Sequence, residues 1–186
     1  SGALSQEELL ARPLIDRNPL SQVIYQPGVQ IDGGNEGRST VNGTRPAMNS
    51  VVMDGISVAD PVNPSLDSSV VRLNPEIVSE IQIVTSGGKA EYGRSGGGQF
   101  VVLSRPGSKS WSGTAYDYFR NTNLNANDFF VNAAGLPRPS MTRNIFGAVV
   151  SGPVFKDKTL LFANFEGNRD RRQVSRNRLV LTPEAK

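Results

Sequence analysis

Four charged side chains are candidates for specific electrostatic contacts: Arg45, Glu80, Glu91 and Arg94. Two interpretations of these residues are open. In the first, they are ordinary surface charges that water solvates and whose ion pairs contribute little. In the second, they lie in a narrow and partly desolvated space, where a charge needs an oppositely charged partner. In that case they would hold two parts of the protein together.

Catalytic chemistry has few candidate residues in this sequence. Histidine and cysteine are both missing, and with them the commonest metal ligands and several catalytic groups. Asp54-Gly55 could place an acid at the end of a strand. However, no second carboxylate accompanies it at a fixed spacing, and a tight turn explains both residues. We therefore predict that the protein is not an enzyme and has no cofactor.

Two further patterns resemble ion-binding loops without having the required residues. Asp60 and Asp67 flank a loop that could hold calcium, but the EF-hand order of acidic ligands and glycine is absent. The glycine-rich residues 87–93 follow a predicted strand, yet they match neither GxGxxG nor GxxxxGK[ST]. Tight turns and a close approach of the backbone to a neighbouring wall explain these glycines better. We predict no metal site.

The basic residues do not indicate a nucleic-acid-binding protein. The formal net charge is only +3, and aromatic residues do not alternate with the basic ones. A polar loop or turn beyond a strand explains the single basic cluster more simply. That cluster consists of Arg169, Arg171, Arg172, Arg176 and Arg178.

Short helices are predicted near the start of the chain. Ser5 followed by Glu8 forms a capping box, and leucines then recur at helical spacing, which predicts a helix near residues 5–12. Pro19 favours a first helical turn, so a second helix is predicted near residues 19–26. Pro27-Gly28 ends it.

Short strands are predicted after these helices. Residues 40–43 and 50–53 form a predicted hairpin, and Asp54-Gly55 supplies a tight turn into residues 56–58. Residues 32–37 are predicted to form a flexible loop. A short helical turn at 75–80 precedes a strand at 81–84, and a further strand is predicted at 100–103.

Mixed short strands and helices over the first part of the chain predict a small α+β domain. Its core should lie between the sheet and the helical residues Leu9–Leu10 and Val23–Ile24, because apolar residues alternate on the strands. The predicted core residues of the strands are Val41, Val52, Ile56, Ile81, Ile83, Val101 and Leu103.

Beyond Pro106-Gly107 the segments become longer and carry aromatic residues near their ends. Three of them, residues 111–120, 145–155 and 159–166, have close to the ~9–11 residues that a tilted strand needs to cross a bilayer. The signal of a single barrel strand is weak. On these residues alone, a soluble β-sandwich hairpin is about equally well supported.

The order of short motifs resembles TonB-dependent outer-membrane receptors, in which a plug domain precedes a β-barrel. The first part of the chain matches the plug, and the second resembles the first barrel strands of the Oar-like subgroup. The plug motifs are Pro27-Gly28-Val29, Asn42-Gly43-Thr44-Arg45, Val51-Val52-Met53-Asp54-Gly55, Glu80-Ile81-Gln82-Ile83-Val84, Glu91-Tyr92-Gly93-Arg94 and Gly96-Gly97-Gly98. The strand motifs are Trp111-Ser112-Gly113-Thr114-Ala115-Tyr116, Asn144-Ile145-Phe146-Gly147, Ser151-Gly152-Pro153-Val154 and Lys156-Asp157-Lys158-Thr159-Leu160-Leu161-Phe162.

The resemblance implies a fold and a division of the chain. Residues 1–106 are expected to form an α+β plug domain, and residues 107–186 the first antiparallel strands of an outer-membrane β-barrel. The plug motif positions are Asn42, Gly43, Asp54, Gly55, Tyr92, Gly93, Gly96, Gly97 and Gly98. The resemblance also makes Arg45, Glu80, Glu91 and Arg94 candidates for contacts between plug and barrel wall.

The resemblance also implies a function. The chain would be the gating and ligand-contacting part of a transporter that takes up a solute across the outer membrane of a Gram-negative bacterium. Its partners would be the rest of its own barrel, the TonB energy-coupling complex and an unidentified solute, with no nucleic acid. The alternative is an Oar-like surface protein with a role in adhesion, export or signalling.

Two departures from the family pattern qualify these expectations. Neither a TonB box nor a first plug strand is evident before Leu4. A barrel of this family has about 22 strands, whereas the chain supplies only three or four. We therefore expect it to be part of a longer protein. Taken alone, it should self-associate through unpaired strand edges.

Overall fold

The computed structural model describes residues 2–14, 17–32, 35–60, 62, 69–87, 95–155 and 158–173. The chain forms two compact units, Ser1–Gly107 and Ser108–Lys186. The first unit combines a mixed sheet with short helices, and the second is built on antiparallel strands. The predicted fold class, an α+β domain followed by antiparallel strands, is confirmed.

The first unit begins with a strand, β1 (Gly2–Ser5), which the sequence analysis does not predict. Its apolar residues are too few to produce a recognisable alternation, and the strand forms because it pairs antiparallel with a long strand far along the chain. The helix α1 (Gln6–Ala11) follows at once. A 3₁₀ helix, Pro19–Tyr25, occupies the second predicted helical segment.

The predicted capping box at the start of α1 is confirmed. The Glu8 amide donates to Ser5 Oγ at 3.4 Å, and the Ser5 amide donates to the Glu8 carboxylate at 2.9 Å. These bonds satisfy two donors that the first helical turn leaves unpaired. The backbone bond from Ser5 is the main cause that lowers the pKa of the Glu8 carboxyl from its usual value, followed by the side-chain bond from Ser5.

A five-stranded sheet forms the centre of the first unit. Its strand order is β1-β6-β7-β4-β5. The pairing of β4 with β7 is parallel, and the other pairs are antiparallel. The bounds are β4 (Ser50–Met53), β5 (Ile56–Ser57), β6 (Val78–Val84) and β7 (Gln99–Ser104). The strands predicted at 81–84 and 100–103 are therefore confirmed.

A second, two-stranded sheet corrects the predicted hairpin between residues 40–43 and 50–53. The strand β3 (Asn35–Val41) pairs antiparallel with β2 (Val29–Asp32) and not with β4. A left-handed turn at Asn42-Gly43 and the 3₁₀ helix Pro46–Met48 separate β3 from β4. The same pairing places strand residues in much of the segment predicted as a flexible loop.

The core of the first unit contains most of the predicted residues. Val41, Ile81 and Ile83 are buried, as are Leu9 and Val23 on the helical segments. In addition Val101 is buried, whereas Val52 and Leu103 are half-buried.

Two of the remaining core predictions, Val52 and Leu103, are wrong by one position, and Ile56 is wrong for a different reason. Val51 faces the core in place of Val52, because successive strand residues point to opposite sides of a sheet. Phe100 and Val102 likewise take the core positions on β7. Ile56 is 71% exposed, since β5 is a two-residue strand at the edge of the sheet.

The second unit is a three-stranded antiparallel sheet with the order β10-β9-β8. Its strands are β8 (Ser112–Asn121), β9 (Met141–Phe155) and β10 (Thr159–Arg172). All three predicted strands are confirmed, and β9 and β10 are longer than predicted. A 3₁₀ helix, Thr122–Leu124, and the helix α2 (Phe129–Ala133) connect β8 to β9. In the described part of the chain, no helix is long and apolar enough to span a membrane.

The outer edges of β8 and β10 pair with no other strand of the described residues. Unpaired edges are templates for pairing with another copy. We expect the 186-residue chain to associate in a concentration-dependent way and residues 1–107 alone to remain a folded monomer. Sedimentation equilibrium of both chains, with circular dichroism as the folding control, measures this. A strictly monomeric full chain would contradict the expectation.

Candidate functional site

Some of the motif residues of the first unit, Gly97 and Gly98 among them, lie at the end of the five-stranded sheet where β4 and β7 begin. Because β4 and β7 run parallel with Ser50 opposite Gln99, the residues before them, Asn49 and Gly98, also lie side by side. The Ser50 amide donates to the Gly98 carbonyl at 2.9 Å, and the Gly97 amide donates to the Met48 carbonyl at 3.1 Å. The start of β7 is therefore bonded to the segment that leads into β4.

The Asn49 side chain joins the two sheets of the first unit. Its Nδ2 donates to the carbonyl of Ser39 on β3 at 3.1 Å, and its Oδ1 accepts from the Gly98 amide at 3.0 Å. Ser39 and Gly98 are both buried, so water does not readily replace these bonds. One amide thus fixes the end of the two-stranded sheet against the start of β7.

Asn42 makes a second connection between the two sheets. Its Nδ2 donates to the Thr85 carbonyl, just after β6, at 2.6 Å. Its backbone amide donates to the Gly28 carbonyl at 2.9 Å. Gly28 has a φ of +86°, and a Cβ at that position would lie 2.8 Å from Asn42 Oδ1. The motifs around Pro27-Gly28 and Asn42-Gly43 therefore form one contact, although the sequence separates them.

Gly97 and Gly98 occupy positions where no larger residue fits. A Cβ on Gly97 would lie 2.6 Å from Asn49 Oδ1 and 2.7 Å from Thr44 Oγ1. A Cβ on Gly98 would lie 2.7 Å from the Val41 side chain. Gly96 differs, because a Cβ there would make only ordinary contacts with the Met48 side chain, at 3.5 Å. Close packing therefore requires glycine at two of the three positions 96–98.

Asp54 and Gly55 lie at the opposite end of β4 and form the turn between β4 and β5. Their φ values of +48° and +87° fit the type I′ turn that two-residue hairpins prefer. The Asp54 carboxylate accepts a hydrogen bond from the Ser104 amide at 3.0 Å. Asp54 therefore closes a turn and fixes the end of β7.

The four charged candidates are not assembled into one cluster by the described residues. Arg45 is exposed and precedes the 3₁₀ helix Pro46–Met48, and its side chain forms no hydrogen bond or ion pair with the described residues. Glu80 is half-buried on β6, opposite Ser5 and Leu103. Glu91 and Arg94 lie outside the described residues, as do the motif residues Tyr92 and Gly93.

A buried ion pair in the first unit has no counterpart among the sequence predictions. The Arg17 guanidinium contacts the Glu76 carboxylate, and both side chains are only 10% exposed. The two residues are 59 positions apart, and neither belongs to a recognisable motif. The pair connects the segment before the 3₁₀ helix Pro19–Tyr25 to the turn that leads into β6.

One face of the second unit is mostly polar, and we call it the polar face. Tyr116 donates to the Glu166 carboxylate at 3.1 Å, and Arg143 donates to Asp170 through Nε at 3.1 Å and Nη2 at 2.8 Å. Arg172 also contacts Asp170, at 2.7 Å. The rows of cross-strand partners on this face are Thr114–Val149–Asn164, Tyr116–Gly147–Glu166, Tyr118–Ile145–Asn168 and Arg120–Arg143–Asp170.

The opposite face of the same sheet is mostly apolar, and we call it the apolar face. Phe146 and Phe165 contact each other on it, with ring centroids 6.2 Å apart. Trp111 lies directly over Gly152, and Phe146 over Gly167, so that aromatic rings cover strand glycines. Its rows are Gly113–Val150–Ala163, Ala115–Ala148–Phe165 and Asp117–Phe146–Gly167. One polar and one apolar face is the pattern of a membrane barrel strand.

A cavity of about 220 Å³ lies beside the connection between β8 and β9. Arg138 lines this cavity and donates to the carbonyls of Asn125, at 2.9 Å, and Thr122, at 3.4 Å. Arg172 and Asp128 also line it. The Asp128 carboxylate accepts from two amides of α2 and so acts as its N-cap.

The chain belongs to the TonB-dependent receptor plug domain family. The model of this family matches residues 3–98, and the model described as an outer membrane beta barrel domain matches residues 103–186. The resemblance deduced from the motifs is thereby confirmed. The family consists of outer-membrane transporters and receptors rather than enzymes, and the chain is a component of the Gram-negative outer membrane.

Individual relatives agree with this assignment. The TonB-dependent transporter Oar of Myxococcus xanthus is 32% identical over 154 residues, which are 81% of this chain and 14% of that protein. This chain therefore spans about a seventh of that relative's length.

Solved structures show the same fold. The siderophore receptor PirA of Acinetobacter baumannii has a TM-score of 0.65 at 16% identity, over 92% of this chain and 24% of that one. PirA of Pseudomonas aeruginosa has a TM-score of 0.61 at 19% identity, over 91% and 28%. The outer membrane transporter YddB of Escherichia coli has a TM-score of 0.61 at 17% identity, over 79% and 23%.

Gly97→Ala should destabilise the first unit by about 1–3 kcal/mol, because the new methyl group overlaps Asn49 and Thr44. The neighbouring Gly96→Ala is the matched control and should change the free energy of unfolding by less than about 0.5 kcal/mol. Urea unfolding of residues 1–107 measures both. Equal effects of the two substitutions would show that the close packing at Gly97 is unimportant.

Asn49→Ala should destabilise the same unit by about 1–3 kcal/mol, since it leaves the Gly98 amide and the Ser39 carbonyl without partners. Asn49→Asp keeps the acceptor for Gly98 but loses the donor for Ser39. We therefore expect faster amide hydrogen exchange at Gly98 in Asn49→Ala and retained protection in Asn49→Asp. Gln30→Ala, which removes an exposed amide, is the control. Unchanged exchange at Gly98 in Asn49→Ala would contradict the bridge.

Proposed function

We propose that this chain is the gating and ligand-contacting part of a TonB-dependent transporter that takes up a solute across the outer membrane. In this proposal residues 1–106 form the plug and residues 107–186 begin the barrel around it. One observation carries the proposal. A small unit with its own core is followed at once by antiparallel strands that have one polar and one apolar face.

The physical argument concerns the width of the barrel. About 22 strands enclose a lumen that would pass small solutes freely unless an interior domain fills it. The polar face of β8–β10 suits a wet lumen wall, and the apolar face suits lipid. The first unit has a hydrophobic core of its own, which supports folding without burial against the wall.

Arg45 and Glu80 are proposed to hold the plug against the barrel wall. The Arg45 side chain is exposed and forms no ion pair with the described residues, which leaves its guanidinium able to bind a carboxylate of the wall. Glu80 is half-buried at the middle of the sheet. A charge in a narrow lumen is costly without a partner, so each such residue would favour the seated position of the plug. Glu91 and Arg94 complete the proposed set.

We propose that the transported molecule is a solute. The descriptions of the relatives support a role in uptake. Oar carries the description of a transporter, and both PirA proteins are siderophore receptors. Because the chain covers 14–28% of these proteins, its own cargo is not specified by them. We propose that the TonB complex supplies the energy for uptake, because the chain belongs to the TonB-dependent receptor plug domain family.

Removal of charge at Arg45 should loosen the plug in the full-length receptor. We expect Arg45→Gln and Glu91→Gln to raise the passive entry of a small dye into proteoliposomes, because a wall charge loses its partner. Arg12→Gln, which removes an exposed arginine next to α1, is the matched control. The insertion of each variant is checked by heat-modifiable mobility on gels.

Unchanged dye entry in both single variants and in their double variant would exclude these charges as a lock. The transport role is tested separately by energy-dependent uptake in cells that express the receptor with and without the TonB complex. Equal uptake in both strains would contradict the proposed coupling.

A further inference from the structure

Two exposed arginines lie where the apolar face of the three-stranded sheet ends. Arg169 and Arg171 follow Gly167 on β10 at intervals of two residues, so all three share the apolar face. The residues opposite them on β9 are Asn144 and Thr142. Along β10, the side chains on this face therefore change from apolar at Phe165 to basic at Arg169, two rows further on.

The surroundings of these arginines leave their charges available. The Arg169 guanidinium lies 6.0 Å from the centre of the Phe146 ring, which holds its stem along the apolar surface. Asp170, between them in sequence, points to the polar face and binds Arg143 and Arg172. Neither Arg169 nor Arg171 forms an ion pair with the described residues.

An acidic residue on the same face does not neutralise this pair. Asp117 stands on β8, in the row of Phe146 and Gly167, and β9 separates it from β10. The two strand backbones are about 10 Å apart, and Asp117 forms no ion pair with either arginine. Among the described residues, Arg169 and Arg171 therefore place two positive charges at one end of the apolar face. Asp117 places one negative charge in the row next to that of Arg169.

We propose that Arg169 and Arg171 bind the phosphate groups of lipids in the outer leaflet of the outer membrane. The inference rests on the proposed function, in which β8–β10 are barrel strands with their apolar face towards lipid. A guanidinium beside the edge of an apolar band meets the headgroup layer, and its planar donors match phosphate oxygens. The continuity of the apolar band with the arginines favours a lipid over a soluble anion.

The leaflet follows from the two connections of the sheet. Residues 122–140, between β8 and β9, form a long connection at the end of the sheet where Arg169 and Arg171 lie. The connection between β9 and β10, residues 156–158, is short and lies at the other end. Membrane barrels have long external loops and short periplasmic turns. The two arginines therefore belong to the external side.

The test compares lipid binding by variants of the full-length receptor in detergent. Native mass spectrometry measures the affinity for diphosphoryl lipid A, with its dephosphorylated form and inorganic phosphate as separate probes. Each of Arg169→Gln and Arg171→Gln should weaken the binding of diphosphoryl lipid A about fivefold. Arg172→Gln removes one positive charge from the polar face and is the matched control. It should leave the affinity for diphosphoryl lipid A unchanged.

Several results would overturn the inference. These are unchanged affinity in the double variant, an equal loss in Arg172→Gln, or binding that does not require the lipid phosphates. Inorganic phosphate that binds as tightly as the lipid would also exclude a headgroup site. A fluorophore on Val150→Cys tests the underlying orientation independently, because brominated lipids should quench it. Absence of quenching would contradict the proposed barrel arrangement. Quenching together with unchanged lipid affinity in the arginine variants would contradict only the lipid site at Arg169 and Arg171.

Discussion

The first unit depends on the way in which one half-buried side-chain amide, that of Asn49, joins its two sheets. Asn49 stands just before β4, donates to Ser39 on β3 and accepts from Gly98 at the start of β7. The close approach that this requires leaves no space for a side chain at Gly97 or Gly98. The Asn49 side chain therefore links the small sheet, the parallel pair and the glycine motif.

The same constraint explains why the unit can be compact with so few helices. The two sheets are connected at both ends of their contact, by Asn49 at one and by Asn42 at the other. Both amides bind backbone groups, so the connection does not depend on long, flexible side chains. The core residues Phe100, Ile81 and Ile83 lie on the two central strands β6 and β7, next to these connections.

Local interactions were predictable from the sequence, and distant ones were not. The capping box of Ser5 and Glu8 and the turn at Asp54-Gly55 involve neighbouring residues, and both are present as predicted. The partner of β4 was not predicted, because no local pattern distinguishes a parallel strand 49 residues away from an adjacent hairpin. Val51 replaced Val52 in the core for the related reason that two successive valines leave the facing side undetermined.

The family resemblance supplied the domain class but could not locate the site. The motif order indicated a plug and barrel strands, whereas the Arg17–Glu76 pair joins residues that belong to no motif. The charged candidates show the same limit, since the motifs did not reveal that Arg45 is exposed and Glu80 half-buried. Geometry within a motif was predictable, and contacts between elements required the structure.

The parallel pairing of β4 with β7 also determines the order in which the first unit can fold. The β4–β5 hairpin closes over two residues and can form early, but β7 must be present before β4 gains its second neighbour. The strand β1 likewise waits for β6, about 75 residues later. A newly exported chain therefore passes through a stage in which its first strand has no partner, and it is then most vulnerable to proteases and to aggregation.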